Sequence, residues 1–170
     1  MPQAWHDFFI LTGTAAATLL GLVFVAASIA ATIPNEKLGD AATGNLWVQP
    51  IVWAFIRVLV VCAVGVVPGQ STVLFGRELA ALALSDLARM VWITAGLRKF
   101  HRTKEALTFE DWRWYAGYPL LATLALLTSG ASLAMDWGLP GQLLALGILG
   151  HLIVGVHNAW ELAAWLATRQ

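Results

Sequence analysis

The sequence predicts an all-α polytopic membrane protein: one domain, five transmembrane helices, the N-terminus outside and the C-terminus cytoplasmic. Three observations carry that prediction. Hydrophobic residues make up 59% of the 170 positions and charged residues only 12%, against about 25% charged in soluble domains. Most of the surface must therefore meet something other than water. Five apolar runs reach the roughly 20 residues that a spanning helix needs. Outside those runs, every Lys and Arg falls on one side of the implied membrane.

The first run, 8–33, is closed by Pro34. No Lys or Arg precedes it, and it is 26 residues long. A secretory signal has a basic start and a short apolar core, so this run reads as a retained helix. The second, 47–67, ends at Pro68-Gly69, and the third covers 71–97. Between the third and fourth runs, "LTFEDWRW" places Thr108 three residues before Asp111, a loose capping-box pattern that suits a short interfacial helix. The basic residues there are mixed with Glu105, Glu110 and Asp111, which fits topology setting better than a specific anionic-lipid site. The fourth run is 115–135 and the fifth 141–167. None shows the alternation of a barrel strand, and lipid cannot satisfy open backbone, so each is read as a helix.

Orientation follows from the distribution of basic residues. With the N-terminus outside, the inner side receives Lys37, Arg98, Lys99, Arg102, Lys104, Arg113 and Arg169, and the outer segments receive none. Trp5 and Trp137 suit an outer aromatic belt, and Trp47, Trp112, Trp114 and Trp165 an inner one. The remaining arginines, Arg57, Arg77 and Arg89, lie inside helices.

The tripeptide Pro-Gly-Gln occurs twice, 72 positions apart, in "VVPGQSTVL" and "GLPGQLLAL". Each copy sits at the outer tip of a helical hairpin. Pro stops one helix, Gly permits the turn, and Gln or its successor can serve an orphan N–H of the next helix. A parallel repeat of two hairpins would align Asp86 with Asn158 and Arg89 with Glu161. Short turn motifs also match by chance, and the hairpins do not depend on a duplication.

Charges at membrane depth are the chemical content of the chain. Each costs at least about 2.5 kcal/mol at a helix centre and so needs a partner. On the third helix Glu78, Ser85, Asp86 and Arg89 fall within about 100°, and Asp86 and Arg89 are spaced to pair. On the fifth, His151, His157, Asn158 and Glu161 fall within about 120°, and His157 and Glu161 are four apart, the spacing at which side chains meet. Arg57 needs an anion, with Glu78, Asp86 and Glu161 as candidates. The expected polar cluster is Arg57, Glu78, Asp86, Arg89, His157, Asn158 and Glu161. Such groups can relay protons or ions, or can form an ion-paired core that only fixes helix register.

Other classes find little support. The ten Lys/Arg balance ten Asp/Glu, so nucleic acid is not an expected partner. Cys62 is the only cysteine, which excludes an intrachain disulfide and reads as a buried packing residue. His151 and His157 are six apart, whereas helical zinc pairs use four. No metal, cofactor or catalytic motif is expected, and the chain is not read as an enzyme. Gly13, Ala17 and Gly21 form a small-residue stripe on the first helix, and Gly155 belongs to another on the fifth; such stripes let helices approach closely. Five helices enclose little interior, so a pathway of useful width would form more readily between copies, an argument for a homo-oligomer.

The segments "GLVFVA" (21–26), "VPGQS" (67–71) with Glu78 in the next helix, and "NAW" (158–160) resemble a group of small bacterial five-helix membrane proteins with no established activity. The resemblance implies a bacterial cytoplasmic (inner) membrane and the same topology. Two functions are thus expected of the lipid-embedded chain. One is a homo-oligomeric channel or transporter-like module for protons or small ions. The other is an accessory or assembly subunit of a larger membrane complex.

Overall fold

The computed structural model describes residues 5–30, 41–103, 107–137 and 141–167, and all regular structure among them is helical. Five helices are long and apolar enough to cross a membrane. They are α1 (His6–Ala30), α2 (Ala41–Gly65), α3 (Thr72–Thr103), α4 (Phe109–Ala134) and α5 (Gln142–Ala167). Residues 31–33, expected to end the first helix, lie outside the described residues.

Several boundaries moved for identifiable reasons. α2 begins ahead of the apolar run and carries Pro50 in its interior. α3 continues six residues past Leu97, so Arg98, Lys99 and Arg102 stand on the helix and not in a loop. Its 32 residues span about 48 Å at 1.5 Å per residue, well beyond a hydrocarbon core of about 30 Å. α4 starts at Phe109, where a capping box forms: Thr108 Oγ1 accepts from the Asp111 N–H at 3.2 Å, and the Thr108 N–H donates to Asp111 Oδ2 at 2.7 Å. A π-turn, Arg113–Gly117, then joins that first turn to Tyr118–Ala134. The expected interfacial helix and the fourth span are one element.

α2, α3, α4 and α5 pack in succession, and α5 closes back on α2, giving a four-helix ring. α1 lies outside the ring, against α2 and α5. The tightest seam is between α3 and α4. A Cβ added to Gly76 would meet the Ala134 nitrogen at 2.4 Å, and one added to Gly130 would meet the Ala80 nitrogen at 2.6 Å. Gly76 and Ala80 on one helix thus face Gly130 and Ala134 on the other, each pair four apart, with backbone against backbone. Gly147 and Gly155 of α5 similarly seat Leu126 and Phe55.

The Pro-Gly turns use their glycines differently. Gly69 has φ +72°, the left-handed region that favours glycine. Ser71, not Gln70, caps α3 by accepting from the Leu74 N–H at 3.1 Å. Gly141 instead makes room for Trp5, whose ring an added Cβ would strike at 2.2 Å. α4 ends in a Schellman arrangement with Asp136 at φ 54° and Trp137 N–H donating to the Ser132 carbonyl at 2.8 Å. Pro140 lies outside the described residues.

Among the small residues singled out on α1, Gly13 packs on Cys62 with 3.0 Å to an added Cβ. Ala17 and Gly21 are exposed, and nothing lies within 4 Å of a Cβ at Gly21. The buried face of α1 turns through Phe9, Thr12, Gly13 and Ala16 instead.

Candidate functional site

Aromatic contacts give two levels against which depth can be judged. Trp47 meets Phe100 at 5.6 Å and Tyr115 at 4.8 Å at the end of the bundle that carries the basic residues. Phe9 meets Phe75 at 5.7 Å at the end that carries the Pro68-Gly69 turn. Asp86 stands 11 residues from Phe75 and 14 from Phe100, or about 16 and 21 Å along the helix. It is therefore close to the middle.

The seven expected polar residues form three groups rather than one. At the centre, Arg57 of α2 pairs with Asp86 of α3. Both are buried, at 9% and 7% exposure. Asp86 is thus the anion that takes Arg57, and Glu78 and Glu161 are not. Arg89 joins this group, within electrostatic reach of both, with its guanidinium 3.5 Å above the Trp53 ring. Trp53 precedes Arg57 by four residues, one helical turn on the same face. Stacking of this kind contributes about 1–2 kcal/mol when desolvated.

The second group lies toward the Pro-Gly end, where the Gln70 side-chain amide donates to the Glu78 carboxylate. Glu78 is eight residues from Asp86, about 12 Å along α3. The third group lies toward the basic end, between α5 and the π-turn of α4. Trp114 stacks on His157 at 3.5 Å and 6°. His157 is 3.8 Å from Glu161, and Tyr115 lies within electrostatic reach of that carboxylate. Asn158, fully buried, donates to the Trp114 carbonyl at 3.4 Å.

His151 and Thr123 complete the central layer, and neither belonged to the expected cluster. Both have 0% exposure. His151 Nδ1 lies 2.8 Å from the Gly147 carbonyl, which can only accept, so Nδ1 carries a proton. Nε2 then faces Thr123 Oγ1 at 3.3 Å, and that hydroxyl also lies 3.7 Å from Met90 Sδ as a donor. Arg57 is within electrostatic reach of His151. Each of the four ring helices thus contributes a polar side chain to the interior: Arg57, Asp86, Thr123 and His151.

Charge does not balance locally. Among the described residues the centre holds Arg57 and Arg89 against Asp86, while Glu78 and Glu161 sit with other partners nearer the two ends. Among the described residues no three His, Cys, Asp or Glu side chains converge to hold a metal. Sequence reasoning placed His151 on the polar stripe of the fifth helix, and its depth was the signal that could have added it to the cluster. Thr123 carried no such signal, because a threonine in an apolar run usually bonds its own helix.

No family model matches the chain, and comparison with curated proteins and with solved structures returns no significant match.

Proposed function

We propose that this multi-pass membrane protein is a homo-oligomeric channel or transporter-like module for protons or small ions. The observation that carries the reading is the buried layer of Arg57, Asp86, Thr123 and His151, one side chain from each ring helix. Charged and hydrogen-bonding groups are costly at this depth, and their convergence on the ring interior suits ion handling better than lipid contact. The groups at Glu78 and at His157–Glu161 extend the polar series toward the two faces. The proposal includes a bacterial cytoplasmic membrane with the N-terminus outside, supported by the basic residues gathered at one end. It also includes homo-oligomerisation, supported by the strip around Ala17 and Gly21 that α1 leaves exposed.

The test is flux in liposomes containing the purified chain alone. Proton or ion movement that falls in Asp86→Asn and Glu161→Gln supports the assignment; flux that ignores both substitutions removes it.

A second reading has its own observation. Arg57 is met by Asp86, and His151 by Gly147 and Thr123, all within one chain, as in a polar core that serves only to fix helix register. In that case the protein is an accessory or assembly subunit of a larger complex. Native mass spectrometry separates the two: a homo-oligomeric mass favours the first, and stoichiometric foreign chains favour the second.

A further inference from the structure

We propose that Arg89, stacked on Trp53 where α2 meets α3 and beside the Arg57–Asp86 pair, binds a small inorganic anion. The inference rests on the ion-handling reading and deepens it by naming the charge of the ion.

Charge accounting is the first support. Among the described residues two guanidiniums share the centre with one carboxylate, and Asp86 is already engaged by Arg57. Glu78 is 11 residues from Arg89 along α3, about 16 Å, and is occupied by Gln70. Glu161 lies on another helix with His157 3.8 Å away and Tyr115 within electrostatic reach. The Trp53 ring gives Arg89 a negative face but no hydrogen-bond acceptor.

An orphaned donor is the second support. Arg89 Nε is buried and has no hydrogen-bond partner among the described residues, and buried donors of this kind are normally satisfied. The third is access. Arg89 is only half-buried; its backbone lies 11 residues from Phe100, about 16 Å from the aromatic level at the basic end, while Trp53, the ring it stacks on, lies six residues from Trp47, about 9 Å from that level. Arg98, Lys99 and Arg102 continue α3 at that same end, where they raise the local concentration of anions.

Chloride is the probe. The full chain is placed in nanodiscs of zwitterionic lipid, chloride is replaced stepwise by gluconate at constant ionic strength, and the unfolding temperature is followed. A saturable rise with chloride is expected, absent in Arg89→Gln. Arg89→Lys keeps the charge but loses the planar fork, so the chloride needed for half the effect rises about tenfold. Equal melting in the two salts overturns the proposal, as does a chloride effect that survives in Arg89→Gln or is unaltered in Arg89→Lys. Because binding is read without flux, the two ideas fail separately. Chloride-dependent melting in a protein that moves no ion keeps the site and removes the transport reading. Proton or cation flux with no chloride effect does the reverse.

Discussion

Replacing Gly76 by Ala adds one methyl group where α3 and α4 run backbone against backbone. The new Cβ would lie 2.4 Å from the Ala134 nitrogen and 2.7 Å from the Leu133 carbonyl carbon. Ordinary contact for such atoms begins near 3.5 Å, so α3 and α4 must separate locally by about 1 Å. Backbone on a helix cannot swing aside as a flexible side chain can, so the strain spreads along the seam. Overpacking of this kind costs about 1–3 kcal/mol. The helix-forming advantage of Ala over Gly does not offset it, because membrane helices persist when their tertiary packing is lost. Within one protomer Gly21→Ala is the matched control, since an added Cβ there meets nothing of the same chain within 4 Å, and the comparison is made on detergent-dissociated monomer so that contacts between copies do not enter. Unfolding both variants by SDS titration in mixed micelles should leave Gly21→Ala within about 0.5 kcal/mol of the parent and shift Gly76→Ala by the larger amount. Gly130→Ala opens the same seam from the opposite side. The double variant should lose less than the sum of the two, because the first methyl has already parted the helices. If Gly76→Ala proves as stable as Gly21→Ala, the backbone-to-backbone crossing is wrong.

The central charges make an asymmetric prediction. Asp86→Ala leaves Arg57 and Arg89 without a carboxylate and should cost about 3–5 kcal/mol, the range for breaking a buried pair. Arg57→Met leaves Asp86 within reach of Arg89 and should cost less by at least about 1 kcal/mol, with SDS unfolding again as the readout; equal losses would count against the two-to-one charge ratio. Cys62 is buried under α1, 3.2 Å from Thr12 Oγ1. It should resist a maleimide reagent in intact membranes and react on denaturation, and rapid labelling of the native protein would contradict the α1–α2 contact.

The sequence made the helices legible and left their meeting points largely hidden. Length and apolarity are one-dimensional properties, so five runs and their turns could be read directly. The end of α3 was misjudged because helix propensity carries through Arg98–Arg102 even where lipid burial stops. The polar residues were found because each is an anomaly in its own run. Their grouping was not found: depth along a helix says how high a side chain sits but not which neighbour faces it. The pairing of Arg57 with Asp86 depends on the azimuth of α3, which the Gly76–Gly130 seam constrains, and that of Glu78 with Gln70 on how the Pro-Gly turn folds back on α3. That seam was itself obscure, since Gly76-x-x-x-Ala80 is split by the Arg-Glu pair that drew attention to charge. On α1 the regular stripe of Gly13, Ala17 and Gly21 runs off the buried face, which instead follows Phe9, Thr12 and Ala16.

The Arg57–Asp86 pair has a consequence for how the protein is made. Synthesis is vectorial, and Arg57 leaves the ribosome 29 residues before Asp86. A lone α2 would deliver an unmatched guanidinium to the bilayer centre, where insertion is disfavoured by about 2.5–3.5 kcal/mol. The tight link at Val66–Ser71 lets α2 wait for α3 and enter with it as a hairpin, its charge matched before it meets lipid. α1 has no such debt and can partition alone. Its docking surface is finished only when α5, four helices further along the chain, closes the ring, so α1 meets the bilayer well before its seat is complete.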